Sequence, residues 1–308
     1  MLNVASLAIA PSLARMPLNM GRLASERHTC SPEFTNPIAL MMRSSTRAQV
    51  GVFLLLVLLV LLCSGPASGQ RWPDERQIEP FRFHADFSLQ ELEPMLRETA
   101  CLSEEIPAVL QLPPGRETVR RDAVWVYMFS DQANYHRYVQ QYFPGAPTRR
   151  ALYIKGRGPG MVFAFAGDAF EEDLRHESTH AILHTLLREV PLWLDEGLAE
   201  YFECPPHARD AGETIRDSVL RDLHAGVNVG LEALEQKTET RQMQAVDYRH
   251  ARAWVHFLLH GPGPVREIFR EYLRELQVHV PPRNLSQRLV RQHPDYERLF
   301  VEHQRAVR

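Results

Sequence analysis

Lysine is almost missing from this chain of 308 residues: Lys155 and Lys237 are the only two, and arginine supplies the rest of the 35 basic positions. No basic block stands clear of the 38 interspersed acidic residues, so the charge pattern of a nucleic-acid-binding protein is absent. Cysteine is scarce as well. None of the four has a second cysteine at metal-ligand spacing, which excludes a zinc ribbon. There is no internal repeat and no low-complexity tract. No apolar run reaches the roughly 20 residues that a membrane-spanning helix needs.

What is present begins with one uncharged run, Val50 to Leu62. Its length suits a secretory core segment of about 7–15 residues. Arg43 and Arg47 precede it, and the small residues of "CSGPASGQ" follow it, with cleavage expected after Gly69 or Ala67. Residues 42–69 therefore read as a signal peptide and the protein as secreted, periplasmic or envelope-associated. The alternative is membrane anchoring by residues 50–62. A lipoprotein reading of Cys63 lacks the small residue required before it, since Leu62 stands there. Because the run starts late, translation is expected to begin at Met41 or Met42, so that residues 1–41 are a mis-assigned start or else a disordered leader. Residues 70–308 then form one domain, with six more acidic than basic side chains. Cys101 and Cys204 remain in it; pairing and free thiols are both open.

In that domain, alternating "FRFHADF" (Phe81–Phe87) reads as a strand, as do Ala123–Phe129, Arg150–Gly156 and Gly160–Gly167. Helices are expected over Ser88–Leu102, with Ser88 as N-cap, and over Ser130–Phe143. From Asp168 onward the pattern turns helical, with Asp168 and Glu171 spaced as a capping box. Further helices are expected over Leu192–Glu203, Ala211–His224, Ala245–His260, Pro264–Gln277 and Pro294–Val307. Sheet first and helices after predicts an α+β fold: an N-terminal mixed β-sheet with flanking helices, then a mainly helical half.

Between the two halves lies "RHESTHAILH" (Arg175–His184). His176-Glu177-Ser178-Thr179-His180 is an HExxH pattern. Residues four apart on a helix share a face, so both imidazoles reach one Zn²⁺. Glu177 points about 100° away around the helix, beside the ion, where it serves as a general base. A catalytic zinc needs a third protein ligand and one open position. His184 stands about 12 Å from His176 along the axis, too far for one ion to bridge. It reads as a packing residue or as support for a ligand. "PLWLDEGLAEYFE" supplies the third ligand instead. Pro191 breaks the helix, a second helix folds back, and Glu196 faces the histidine pair. Small Gly197 and Ala199 permit close helix approach. Asp195 is a rival ligand rotated to another side. Glu200 accepts a hydrogen bond from a liganding histidine or is simply an exposed acid; both readings stay open.

HExxH followed by "WLDEGLAEYFE" resembles the gluzincin metallopeptidases, the thermolysin- and aminopeptidase-like clan with two histidines and a glutamate on zinc. Within that clan the chain is most similar to small secreted bacterial members. The likeness is specific over about Asp168–Glu203. It implies a zincin-like fold and a zinc cofactor on His176, His180 and Glu196. It also implies hydrolysis of peptide or protein substrates by zinc-activated water, with Glu177 as the base. Substrate would pair along Met161–Ala166, where the clan has its edge strand, unless that strand is plain core sheet. Asp195 stands in place of the clan's asparagine, the 15-residue spacer from His180 to Glu196 is short, and no "GxMEN" stretch occurs. The missing stretch argues against aminopeptidase action and leaves endopeptidase, the preferred reading, or another hydrolase. The clan's second oxyanion donor would come from Tyr248, His250 or His256. A non-catalytic zinc-binding module on the same scaffold is the competing expectation. The hydrophobic segment near the N-terminus is the one membrane contact expected, and no nucleic-acid partner is.

Overall fold

Strand alternation sorts two sets of side chains onto the two faces of one sheet. The computed structural model describes residues 72–112, 124–156, 158–187, 189–209, 213–278 and 284–306. The expected leader, signal peptide and anchor lie outside the described residues. Among the described residues, no helix is long and apolar enough to cross a membrane. Five strands, β1 (Asp74–Ile78), β2 (Phe81–Ala85), β3 (Val124–Phe129), β4 (Ala151–Ile154) and β5 (Gly160–Phe165), form a mixed sheet in the order β1-β2-β3-β5-β4. Strands β2, β3 and β5 run parallel, and β1 and β4 are antiparallel edges.

Helices α1 (Glu93–Val109) and α2 (Gln132–Tyr142) follow β2 and β3. Phe81, Phe83, Val124, Val126, Met128, Val162 and Ala164 pack toward α1 and α3 (Phe170–Leu186) in the main core. The intervening Tyr127, Phe129, Leu152 and Phe163 pack with Tyr135 and Val139 of α2 in a second cluster. The period of two thus makes a three-layer arrangement with α3, the HExxH helix, against one sheet face.

The remainder is helical: α4 (Leu192–Phe202), α5 (Pro206–Arg209), α6 (Glu213–His224), α7 (Leu231–Glu235), α8 (Ala245–His260), α9 (Gly263–Val278), α10 (Leu285–Gln292) and α11 (Tyr296–Ala306). The fold is α+β, as expected from the element order. Helix α4 is buried on nearly every side. It packs on α3 with one face and on α8 with another. A Cβ on Gly197 would meet the Ala251 carbonyl oxygen of α8 at 2.8 Å. Its smallness therefore serves the α4–α8 contact, not the α3–α4 approach that the HExxH geometry led one to expect.

Three expectations need correction, and one open question is answered. Helix α3 starts after Ala169 with no side-chain cap, so the Asp168/Glu171 box does not form. Three acids in its first turn (Glu171, Glu172, Asp173) complement the helix dipole instead. Helix α1 begins beyond Ser88, with Pro94 in its first turn, where a missing N–H costs nothing, and runs on to Val109. Strand β5 is not an edge: β3 and β4 flank it on both sides, so no substrate strand can add there. The edge on that side is β4. Cys101 and Cys204 are both free.

Candidate metal centre

Helical spacing brings His176 and His180 of α3 together, with their Nε2 atoms 3.3 Å apart. From α4, Oε2 of Glu196 stands 3.7 Å from His176 Nε2 and 3.6 Å from His180 Nε2. These three atoms make a nearly equilateral triangle. Its centre lies about 2 Å from each corner, the length of a zinc bond to imidazole nitrogen or carboxylate oxygen. Glu196 is 5% exposed, and its Oε2 has no hydrogen-bond partner among the described residues. A buried carboxylate oxygen left bare costs on the order of 1–3 kcal/mol or more. A cation held by these three atoms would supply the missing partner, and two imidazoles with one carboxylate suit zinc. The residues present therefore fit the implied metal.

Each imidazole is held from behind. Glu203 Oε2 lies 2.9 Å from His176 Nδ1, and Arg252 faces the other Glu203 oxygen at 3.6 Å. Asp195 Oδ1 lies 3.0 Å from His180 Nδ1, near enough to pair although off the line of a good hydrogen bond. The other Asp195 oxygen is 3.1 Å from His184 Nε2. The His184 ring stacks on Tyr153 of β4 at 5.6 Å. A Cβ on Gly160 would come within 2.9 Å of that tyrosine ring, so the bare glycine makes room for it. His184 thus supports the site without entering the triangle, as its spacing requires.

Local structure explains why Glu203 is in place. Arg175, 1% exposed, precedes His176 on α3. Its Nε donates to the carbonyls of Phe202 and Glu203, each at 3.2 Å, and Nη1 donates to Glu98 at 3.4 Å. Carbonyls at a helix C-terminus lack intrahelical donors. A guanidinium that satisfies them ties the end of α4 to α3, beside His176.

Electrostatics follow the same contacts. Burial pushes the His176 imidazole down, but the Glu196 and Glu203 carboxylates beside it outweigh that and raise its pKa to about 10. Burial acts against the Glu196 carboxylate, yet His176 and His180 hold it well below its ordinary range. The metal-free pocket therefore retains protons that a cation would displace. Glu200 is pushed up to about 7, first by burial and then by the Glu203 charge.

Glu177 is 9% exposed, and its carboxylate makes no hydrogen bond among the described residues. The fully buried Tyr135 of α2 feels the charges of Glu177 and Asp173, and its hydroxyl also lacks a partner there. Of the three candidate oxyanion donors, Tyr248 feels both Glu196 and Glu200. His250 is taken up by Asp222 at 2.9 Å, and His256 by His303 at 2.9 Å.

The structure thus brings His176, His180 and Glu196 together. It sets Glu203, not Glu200, behind His176, and gives Asp195 a supporting place rather than a ligand's. Glu203 was readable in principle, being seven residues and so about two turns beyond Glu196 on the same helical face. Arg175 and Tyr135 left no such signal. A second compact donor group, His176 with Glu200 and Glu203, shares a residue with the first. Its Glu203 is already engaged by His176 Nδ1 and Arg252. No protein-family model matches the chain, and no curated protein matches it.

Proposed function

We propose that this protein is a zinc-dependent peptidase on a zincin-like scaffold, secreted or envelope-associated, with endopeptidase action preferred. The observation that carries the reading is the triangle of His176 Nε2, His180 Nε2 and Glu196 Oε2, with a buried carboxylate oxygen left bare at one corner. Zinc held by those three residues would polarise a scissile carbonyl and lower the pKa of water beside it.

The rest is the work of the chain's own residues. Glu177, next to His176 and free of competing hydrogen bonds among the described residues, takes the proton from the attacking water and returns it to the leaving amine. Tyr248, near Glu196, is the candidate to donate a hydrogen bond to the oxyanion. Glu203 accepts from the far nitrogen of His176, and Asp195 stands 3.0 Å from the far nitrogen of His180, an arrangement that favours both Nε2 atoms as donors of lone pairs. Water is limited by the buried surroundings of α4. The substrate strand adds to β4, the free edge beside the site.

The test is cleavage of casein or a quenched peptide by the purified protein after chelation and after zinc is restored. Activity should vanish with the chelator and return with zinc. Glu177→Gln should lower kcat about 10²–10⁴-fold while one zinc per chain is kept. Equal cleavage by Glu177→Gln would eliminate the mechanism.

A further inference from the structure

Two cations, Arg149 and Lys155, stand at the ends of β4 without an ion pair among the described residues. Arg149, two residues ahead of the strand, is exposed and within hydrogen-bonding reach of the Tyr248 hydroxyl on α8. Lys155, directly after the strand, is exposed and within electrostatic reach of Asp195. Neither forms an ion pair among the described residues. In contrast, Lys237, the only other lysine, is bound to Asp247 at 3.0 Å, and Arg150 to Asp173 at 2.9 Å.

Apart from Glu177 and Glu200, the acids around the triangle have partners within the site. Asp195 faces His180 and His184, Glu203 faces His176 and Arg252, and Asp173 faces Arg150. Glu196 belongs to the triangle itself. The free charge offered to a strand lying along β4 is therefore positive at both ends. The six steps from Arg149 to Lys155 span about 20 Å of extended chain.

We propose that the edge strand β4 selects peptides with acidic side chains, Arg149 receiving a carboxylate at one end of the bound segment and Lys155 at the other. This rests on the peptidase reading above and names its substrate class. Arg149 and Lys155 are specificity-determining residues in it. Each exposed pair contributes modestly and is screened by salt.

The experiment measures binding apart from turnover. Zinc-loaded Glu177→Gln protein is titrated, by fluorescence anisotropy, into twelve-residue peptides with one neutral apolar centre. Their flanks carry two glutamates, two glutamines or two lysines, each with a free or amidated C-terminus. The glutamate peptide should bind about five- to twentyfold more tightly than the glutamine peptide at low salt, with the margin shrinking at 0.5 M salt. Arg149→Gln and Lys155→Gln, each added to that background, should each remove about two- to fivefold of the margin. Equal binding of glutamate and glutamine peptides overturns the proposal. So does a margin that survives the double change, or one that disappears on amidation and so belongs to the C-terminal carboxylate. Wild-type protein that cleaves all three peptides equally well sinks the selectivity and leaves the peptidase. An acidic preference in binding, without cleavage by wild type, does the reverse.

Discussion

Histidine pairs one helical turn apart occur on both α3 and α8, and His176/His180 and His256/His260 have become different things. His176 and His180 on α3 point their Nε2 atoms at each other across 3.3 Å, with Glu196, Glu203 and Asp195 closing around them. His256 and His260 on α8 also lie one turn apart, with ring centroids at 4.7 Å. Their neighbours include His303 of α11 and the Tyr201 hydroxyl, which lies 2.9 Å from His260 Nε2. Among the described residues, the donor groups compact enough for one ion both contain His176, and neither contains His256. Spacing of four creates a shared face, but a ligand set also requires anionic oxygen from a neighbouring element. Helix α4 gives that oxygen to the first pair. To the second it gives a phenol.

That contrast can be broken experimentally, beginning where the effect is largest. His180→Ala should abolish tight zinc binding, whereas His260→Ala should leave one zinc per chain, both read by elemental analysis after dialysis. Zinc lost from His260→Ala and kept by His180→Ala would reverse the assignment. The supporting carboxylates come next. Glu203→Gln and Asp195→Asn should each weaken zinc about 10–100-fold, measured by competition with a chromogenic chelator. His256→Gln should change it by less than about twofold if the second pair lies outside the metal's outer contacts.

The contact between the two regions is tested by Gly197→Ala. The new methyl meets the backbone of α8, which also carries the second pair, and should cost about 1–3 kcal/mol in urea unfolding of the metal-free protein. An unchanged urea midpoint would mean that α4 and α8 are not packed as closely as described.

The smallest effect is in titration. The His176 imidazole is raised and should still be charged at pH 7.5 in metal-free protein. Burial first, and the His260 charge second, lower His303, which should stay neutral as pH falls through the ordinary value of 6.5. A depressed imidazole contributes stability that is present above its unfolded pKa and is lost as pH falls through the folded one. Histidine NMR shifts between pH 5 and 9 check both signs. An uncharged His176 at pH 7.5 together with a charged His303 would contradict the contrast.

How much of this was legible in the chain varies with the range of the cause. The strands at Phe81–Ala85 and Val124–Phe129 followed from alternation, and helix α8 (Ala245–His260) from its apolar period, because each pattern is local. Strand β1 (Asp74–Ile78) was not foreseen. Its burial never becomes deep, and its place depends on pairing with β2. The edge role expected of β5 failed for a related reason: sheet order is set by crossovers, and only the folded sheet puts β4 outside it. The exchange of Glu200 for Glu203 turned on which face of α4 the Arg175 contact presents to His176.

By itself the sequence determined the periodicities and the pair of imidazoles one helical turn apart, because both are fixed by the geometry of a single helix or strand. It also determined that Glu196 lies on a helix of its own beyond the break at Pro191. Only the tertiary structure decided that Glu196 closes the triangle, that Glu203 and Asp195 stand behind the rings, and that the second histidine pair belongs to no compact donor group among the described residues. Those outcomes depend on the packing of α4 between α3 and α8. Buried carboxylates require partners, and three-dimensional packing alone determines which side chains are near enough to supply them.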